Sequence, residues 1–198
     1  MRFLTNALAA AALAGGVASA QPAAQTTMAK ITATCQSCHG VGGNSHLRNV
    51  PRLNGQIANY IAQRLTAFLD PTKQTTNAIH AMWGISMTVG QEDIPRIAQY
   101  YADQQATPRA HRKSLLAREG AALFAQGGEG IPACNACHGA HGEGTDKAPR
   151  LAGQHGDYLS YQMTAFVVTM NTHPTMDHPK MSLTQQQIDA LAAYLGKN

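Results

Sequence analysis

CQSCHGVGGNSHLRNVPRLNGQ, Cys35 to Gln56, and CNACHGAHGEGTDKAPRLAGQ, Cys134 to Gln154, are two versions of one sentence in a chain of 198 residues. CxxCHG stands at 35–40 and again at 134–139, an offset of 99. PRLxGQ stands at 51–56 and 149–154, an offset of 98. The register continues outward. QIANYIAQRLTAFL and QHGDYLSYQMTAFV follow, with Tyr60 matching Tyr158 and Thr66-Ala67-Phe68 matching Thr164-Ala165-Phe166. At an offset of 94, IPRIAQYYA matches IDALAAYL. Ile94, Ile97, Ala98 and Tyr101, like Ile188, Leu191, Ala192 and Leu195, have the i, i+3, i+4, i+7 spacing of a buried helical face.

These stretches predict helices. Thr184 and Gln187 form a T-x-x-Q capping box, whereas the first copy has Gly90 there and Pro95 in its first turn. No sustained alternation of apolar and polar residues marks a strand, so the chain reads as all-α. A unit of about ninety residues buries a modest core by side chains alone, so each copy calls for another source of apolar area.

The first twenty residues, MRFLTNALAAAALAGGVASA, have a basic start, a short apolar run and Ala18-Ser19-Ala20. They read as a secretory leader over 1–20 with cleavage after Ala20, too short in its apolar run for a membrane span. The following divisions are 21–105 and 115–198, joined by 106–114. QQATPRAHRKS, residues 104–114, has Pro108, Arg109, His111, Arg112 and Lys113 and no apolar periodicity, and reads as a solvated linker. The formal charge is +4, and the Arg2 charge leaves with the leader. Aromatic residues are few and interleave with no basic run, which excludes a nucleic-acid binder.

All four cysteines lie in the repeated sentence, and His follows each second Cys directly. Two thiols at i and i+3 suit addition to the two vinyl groups of one porphyrin, and the adjacent His then reaches the iron. Zinc wants four Cys or His ligands, and one CxxCH supplies three. A redox CxxC wants a βαβ context, which is missing. Two copies in an exported chain point to two covalently attached haem c groups, through Cys35, Cys38 and His39 and through Cys134, Cys137 and His138. An apolar disc also supplies the area that each small unit lacks.

The second axial ligand comes from later in each unit. At the offset of 94, Met82 matches Met176 and Met87 matches Met181, whereas His80, His173 and His178 find no histidine partner. A thioether ligand therefore fits both copies. Met82 and Met176 leave a longer loop before the last helix and are favoured; Met87 and Met181 read as packing. Met163, in the place of Leu65, reads as core, and Trp83 as packing on the haem edge. His46, His111, His141 and His155 read as solvated.

CxxCHG, PxLxGQ, a Met and then a helix of the type xxxDIxxLAxYYA, all in duplicate, resemble the dihaem cytochromes c of the cytochrome c4 family, over about Met28 to Lys197. The resemblance implies two tandem class I cytochrome c domains, each around one covalent haem, and His/Met ligation by His39 and Met82 and by His138 and Met176. It implies that the carbonyls of Pro51 and Pro149 accept a hydrogen bond from the proximal imidazoles. It implies a periplasmic or peripherally membrane-associated electron carrier, and no enzyme. Its partners would be redox proteins: a cytochrome complex or dehydrogenase upstream, a terminal oxidase or reductase downstream. Related two-haem subunits serve enzyme complexes such as flavocytochrome c sulfide dehydrogenase. An enzyme in its own right would need an open iron, against which the matched Met pairs argue. One departure stands out. The second copy opens with Gly120, Leu123, Phe124 and Gly127, and the first, TTMAKITATCQSCHG, lacks that lead.

Overall fold

The computed structural model describes residues 21–70, 77–168 and 182–197. The leader, Met176, Met181, His173 and His178 lie outside them. Among the described residues there is no strand, only an isolated bridge between Gly128 and Ile131. Among the described residues eight α-helices run in order: α1 (Gln21–His39), α2 (Ala58–Phe68), α3 (Asn77–Ser86), α4 (Ile94–Ala102), α5 (Leu115–Gln126), α6 (Asn135–His138), α7 (Gly156–Val167) and α8 (Gln185–Leu195). Thr184 and Gln187 form the expected capping box, and Pro95 lies in the first turn of α4.

Two hydrophobic clusters form. Ile61, Ile97, Ala98 and Tyr101 make the first, with Met28 and Leu65 against them. Phe124, Leu159, Ile188, Leu191 and Leu195 make the centre of the second, with Met163 against it, as its match to Leu65 foresaw. The faces read from the i, i+3, i+4, i+7 spacing are the buried ones.

The units differ at their entrances. In the second, α5 packs on α8 and ends at Gly127, and the CxxCH turn is a separate short helix. A Cβ on Gly120 would drive into the Ala190 carbonyl, so glycine sets the close crossing of α5 and α8. In the first, one helix, α1, runs straight through CxxCH. It has no glycine lead, so nothing in its sequence ends the helix before Gly40. Met82 and the start of the loop expected after it lie in helix α3, whose Ala and Met residues are good helix formers.

The two units are clasped by the repeat itself. Gln56 donates from Nε2 to the Arg150 carbonyl at 3.0 Å and accepts the Arg150 N–H on Oε1 at 2.7 Å. Gln154 does the same to Arg52, at 3.0 and 2.8 Å. Each amide thus pairs with the other unit's backbone as a strand would, and PRLxGQ recurs because each copy is both clasp and catch. Tyr60 of α2 and Tyr158 of α7 lie close enough across this interface to interact, and burial pushes both hydroxyls up.

Two readings of the sequence change here. The linker is not solvated through its first half. Asn54 Nδ2 donates to the Gln105 carbonyl and to Thr107 Oγ1, at 2.7 and 3.0 Å. The Arg109 guanidinium stacks 4.2 Å from the Tyr194 ring centroid. The backbone there would otherwise lack partners between two packed units, so side chains of both supply them. His111, Arg112 and Lys113 are exposed. His155 is not solvated either: it is 3% exposed, and its Nε2–H donates to the Ser45 carbonyl at 2.9 Å. Its matched position is Ile57, which packs on Gly144 across the interface. One side of the join is therefore polar and the other apolar.

Three outcomes follow. Gln56→Ala and Gln154→Ala each leave paired backbone groups unsatisfied and lower stability by about 1–3 kcal/mol in urea unfolding of the haem-loaded protein. Gly120→Ala forces α5 off α8 and costs about 1–3 kcal/mol in the same assay. Burial first, then the Arg52 guanidinium, pushes the His155 imidazole below its ordinary range, against the Ser45 carbonyl bond and Asp157, while Arg48 pushes it further down. The unfolded chain takes up that proton as pH falls through about 6.5, the folded chain only at lower pH, so stability falls as pH drops below that value. His155→Gln keeps a donor for Ser45 and removes this contribution. Its urea midpoint changes less between pH 7 and pH 5 than that of the parent.

Candidate haem-attachment sites

A helical turn brings residues i, i+3 and i+4 to one face. α1 does this for Cys35, Cys38 and His39; the turn from Cys134 through α6 does it for Cys134, Cys137 and His138. The four cysteines are unpaired thiols. In each pair the first is half-buried and the second exposed, so each site reaches from core to surface. Burial pushes the Cys35 and Cys134 thiols up, which keeps them protonated. After each His the chain must turn away at once. Gly40 and Gly139 do so with φ of 76° and 84°, a region costly for other residues.

The imidazoles are 7% and 6% exposed for His39 and His138. His39 Nδ1 lies 2.8 Å from the Pro51 carbonyl oxygen, and His138 Nδ1 lies 2.8 Å from that of Pro149. A carbonyl only accepts, so Nδ1 carries the proton and Nε2 presents a lone pair suited to a metal. Burial pushes the His39 imidazole down and the Pro51 bond opposes it, which favours that neutral form. The proline loops are pinned alike. Leu53 donates to the Gly43 carbonyl and Leu151 to the Gly142 carbonyl, both at 2.8 Å.

Of the methionines, Met82 on α3 is half-buried and Met87 is 60% exposed. Met176 and Met181 lie outside the described residues, as does the His80 side chain. Trp83 is 38% exposed. His46 and His141 are exposed.

The donor set fits haem better than zinc. Among the described residues no three His, Cys, Asp or Glu side chains gather as an ion site. Each CxxCH offers two thiols, an oriented imidazole and an apolar lining. At the interface between the sites, a small cavity is lined by Arg52, Asn54, Gln56, Thr107, Arg150 and Gln154, with no carboxylate among them. Arg52 Nε there is buried without a hydrogen-bond partner among the described residues, which suits a group that brings its own carboxylates. The residues that sequence reasoning left as bare landmarks were Gln56 and Gln154. Their repetition was the available signal, but only the fold brings each to the other unit.

The sequence profile described as Cytochrome c matches residues 117–198. Cytochrome c4 of Pseudomonas aeruginosa is 32% identical over 188 residues, 91% of this chain and 90% of its own. The thiosulfate dehydrogenase electron acceptor of Thiomonas intermedia is 31% identical over 163 residues, 79% of this chain and 73% of its own. The solved structure of cytochrome c4 from Acidithiobacillus ferrooxidans matches with a TM-score of 0.75 at 34% identity, over 82% of this chain and 98% of that one. Both copies of CxxCH and this likeness over nearly the full length agree: the chain belongs to the cytochrome c4 family, all-α proteins of two class I cytochrome c domains that carry electrons on covalently bound haem.

Proposed function

We propose that the chain carries electrons in the periplasm as part of a respiratory chain, on two haems, one in each of the units 21–105 and 115–198, joined by 106–114. Cys35 and Cys38 hold the first by thioethers and Cys134 and Cys137 the second. His39 and Met82 ligate one iron, His138 and Met176 the other. The observation that carries this reading is the duplicated imidazole-to-proline bond, 2.8 Å in both units, on the far side of each CxxCH turn. His39 with Met82, and His138 with Met176, would leave a bound iron no open position for a substrate, and the haem would supply one-electron chemistry there. The residues then have three tasks. Pro51 and Pro149 fix the imidazoles. The buried lining keeps water from the sites. Gln56 and Gln154 hold the two units at one mutual orientation.

The exposed second cysteine of each pair marks the edge a redox partner would meet. Around Cys38 that edge carries Val41 and Leu47, 83% and 51% exposed. Around Cys137 it carries Glu143, Asp146 and Lys147, all exposed. Partners would be a cytochrome complex or dehydrogenase on one side and a terminal oxidase or reductase on the other. A second reading makes the chain the electron acceptor of a periplasmic dehydrogenase complex. The likeness to the Thiomonas protein of that description favours it. Copurification of an enzyme subunit on a tagged chain would select it.

Two haems per chain by pyridine haemochrome assay, and two equivalents of the far-red charge-transfer band of methionine-ligated ferric haem, are the expected result. Met82→Ala and Met176→Ala each remove half of that band, and Met87→Ala removes none. A single equivalent in the parent would mean that one iron is open or His-ligated, and the carrier reading would fall.

A further inference from the structure

The C-terminal helix of each unit places one residue against the loop that follows CxxCHG. In the first unit it is Tyr101, fully buried; in the second it is Leu195, 2% exposed. Their backbones are held identically. Gly55 N–H donates to the Tyr101 carbonyl and Gly153 N–H to that of Leu195, both at 2.9 Å. Their side chains meet matched glycines. A Cβ on Gly43 would lie 2.8 Å from Tyr101 Cδ1, and one on Gly142 would lie 2.9 Å from Leu195 Cδ2. The Tyr101 ring is held further by Tyr100, edge-to-face at 4.9 Å and 77°. It cannot swing toward solvent without displacing these neighbours.

The two positions thus differ in chemistry alone. Tyr101 brings a hydroxyl into the first core, where it finds no hydrogen-bond partner among the described residues. Cys35 packs against the same cluster as Tyr101, and its thiol and the Tyr101 hydroxyl act on each other. A buried donor left without an acceptor destabilises a fold, and persists where it serves another group. Cys35 is an attachment cysteine. As a thioether it loses its S–H and keeps an accepting sulfur, so the phenol can act there only as donor. The matched sulfur, on Cys134, faces no phenol from Leu195.

We propose that the Tyr101 hydroxyl donates toward the Cys35 sulfur and the porphyrin edge bonded to it, and so raises the reduction potential of the first haem but not the second. The positive end of the O–H dipole points at a group that gains an electron on reduction, and therefore favours the ferrous form. Tyr101 is a positioning residue and contacts no redox partner, being buried. The inference rests on the two-haem reading above.

The test uses the haem-loaded protein. Haem content per chain is measured first. One haem per chain would overturn the two-haem reading itself, before any potential is known. With two haems bound, Tyr101→Phe is titrated potentiometrically, each haem being followed by its own paramagnetically shifted methyl resonances. The expected result is a lower potential for the first haem and an unmoved second. Tyr101→Leu, which copies the second unit's residue, moves the first haem the same way and supplies the answer should the Phe variant fail to load. An unchanged first haem, an upward shift, or an equal shift of both would overturn the proposal.

Discussion

The side-chain amide of Gln56 holds the backbone of Arg150, and that of Gln154 holds the backbone of Arg52. Four hydrogen bonds of this kind contribute only about 0.5–1.5 kcal/mol each, but their position matters more than their sum. Arg52 follows Pro51 and Arg150 follows Pro149. The carbonyl that orients each imidazole is therefore one residue from the catch that joins the two units. A shift between units must pull on both proline loops, and hence on both histidines. One hexapeptide motif thereby ties the imidazole geometry of each unit to the geometry of the pair.

Duplication gives near symmetry, and the departures from it lie close to the two sites. Tyr101 stands against Leu195. His155, bonded to Ser45, stands against Ile57 on Gly144. The α5–α8 crossing at Gly120 has no glycine counterpart in α1. The first two change polarity and leave the backbone frame unchanged; the third changes the backbone, since α1 runs through CxxCH where α5 and α6 are separate helices. Two sites built to one plan are thus given different surroundings.

Ser45 shows how such a departure reaches a site. Its carbonyl accepts from His155 of the other unit, and its hydroxyl donates to the Cys38 carbonyl at 3.4 Å and the Leu47 carbonyl at 3.3 Å. The loop after the first CxxCH is therefore held from both sides of the interface. In the second unit Thr145 Oγ1 donates to the Cys137 carbonyl at 2.7 Å, and the facing side chain is the apolar Ile57.

Residue type and spacing determined much by themselves. CxxCH is local chemistry: its three functional groups lie within one helical turn, so they were legible before any fold was known. The buried faces of α4 and α8 were legible for the same reason, because helical periodicity is a property of neighbouring residues. The capping box of α8 spans four residues and was read correctly. What escaped was non-local. His155 is a histidine in a loop by sequence, and only the approach of Ser45 from another unit makes it a buried donor. The linker is polar by composition, and only two flanking units give Thr107 and Arg109 their partners. Helix α1 runs through the first CxxCH because no glycine stops it, an absence that matters only once the second unit shows what such a glycine does. Gln56 and Gln154 were visible as a repeat, but a repeat carries no direction. Each finds its partner about a hundred residues away, a pairing set by how two packed units meet, and tertiary structure alone decides that.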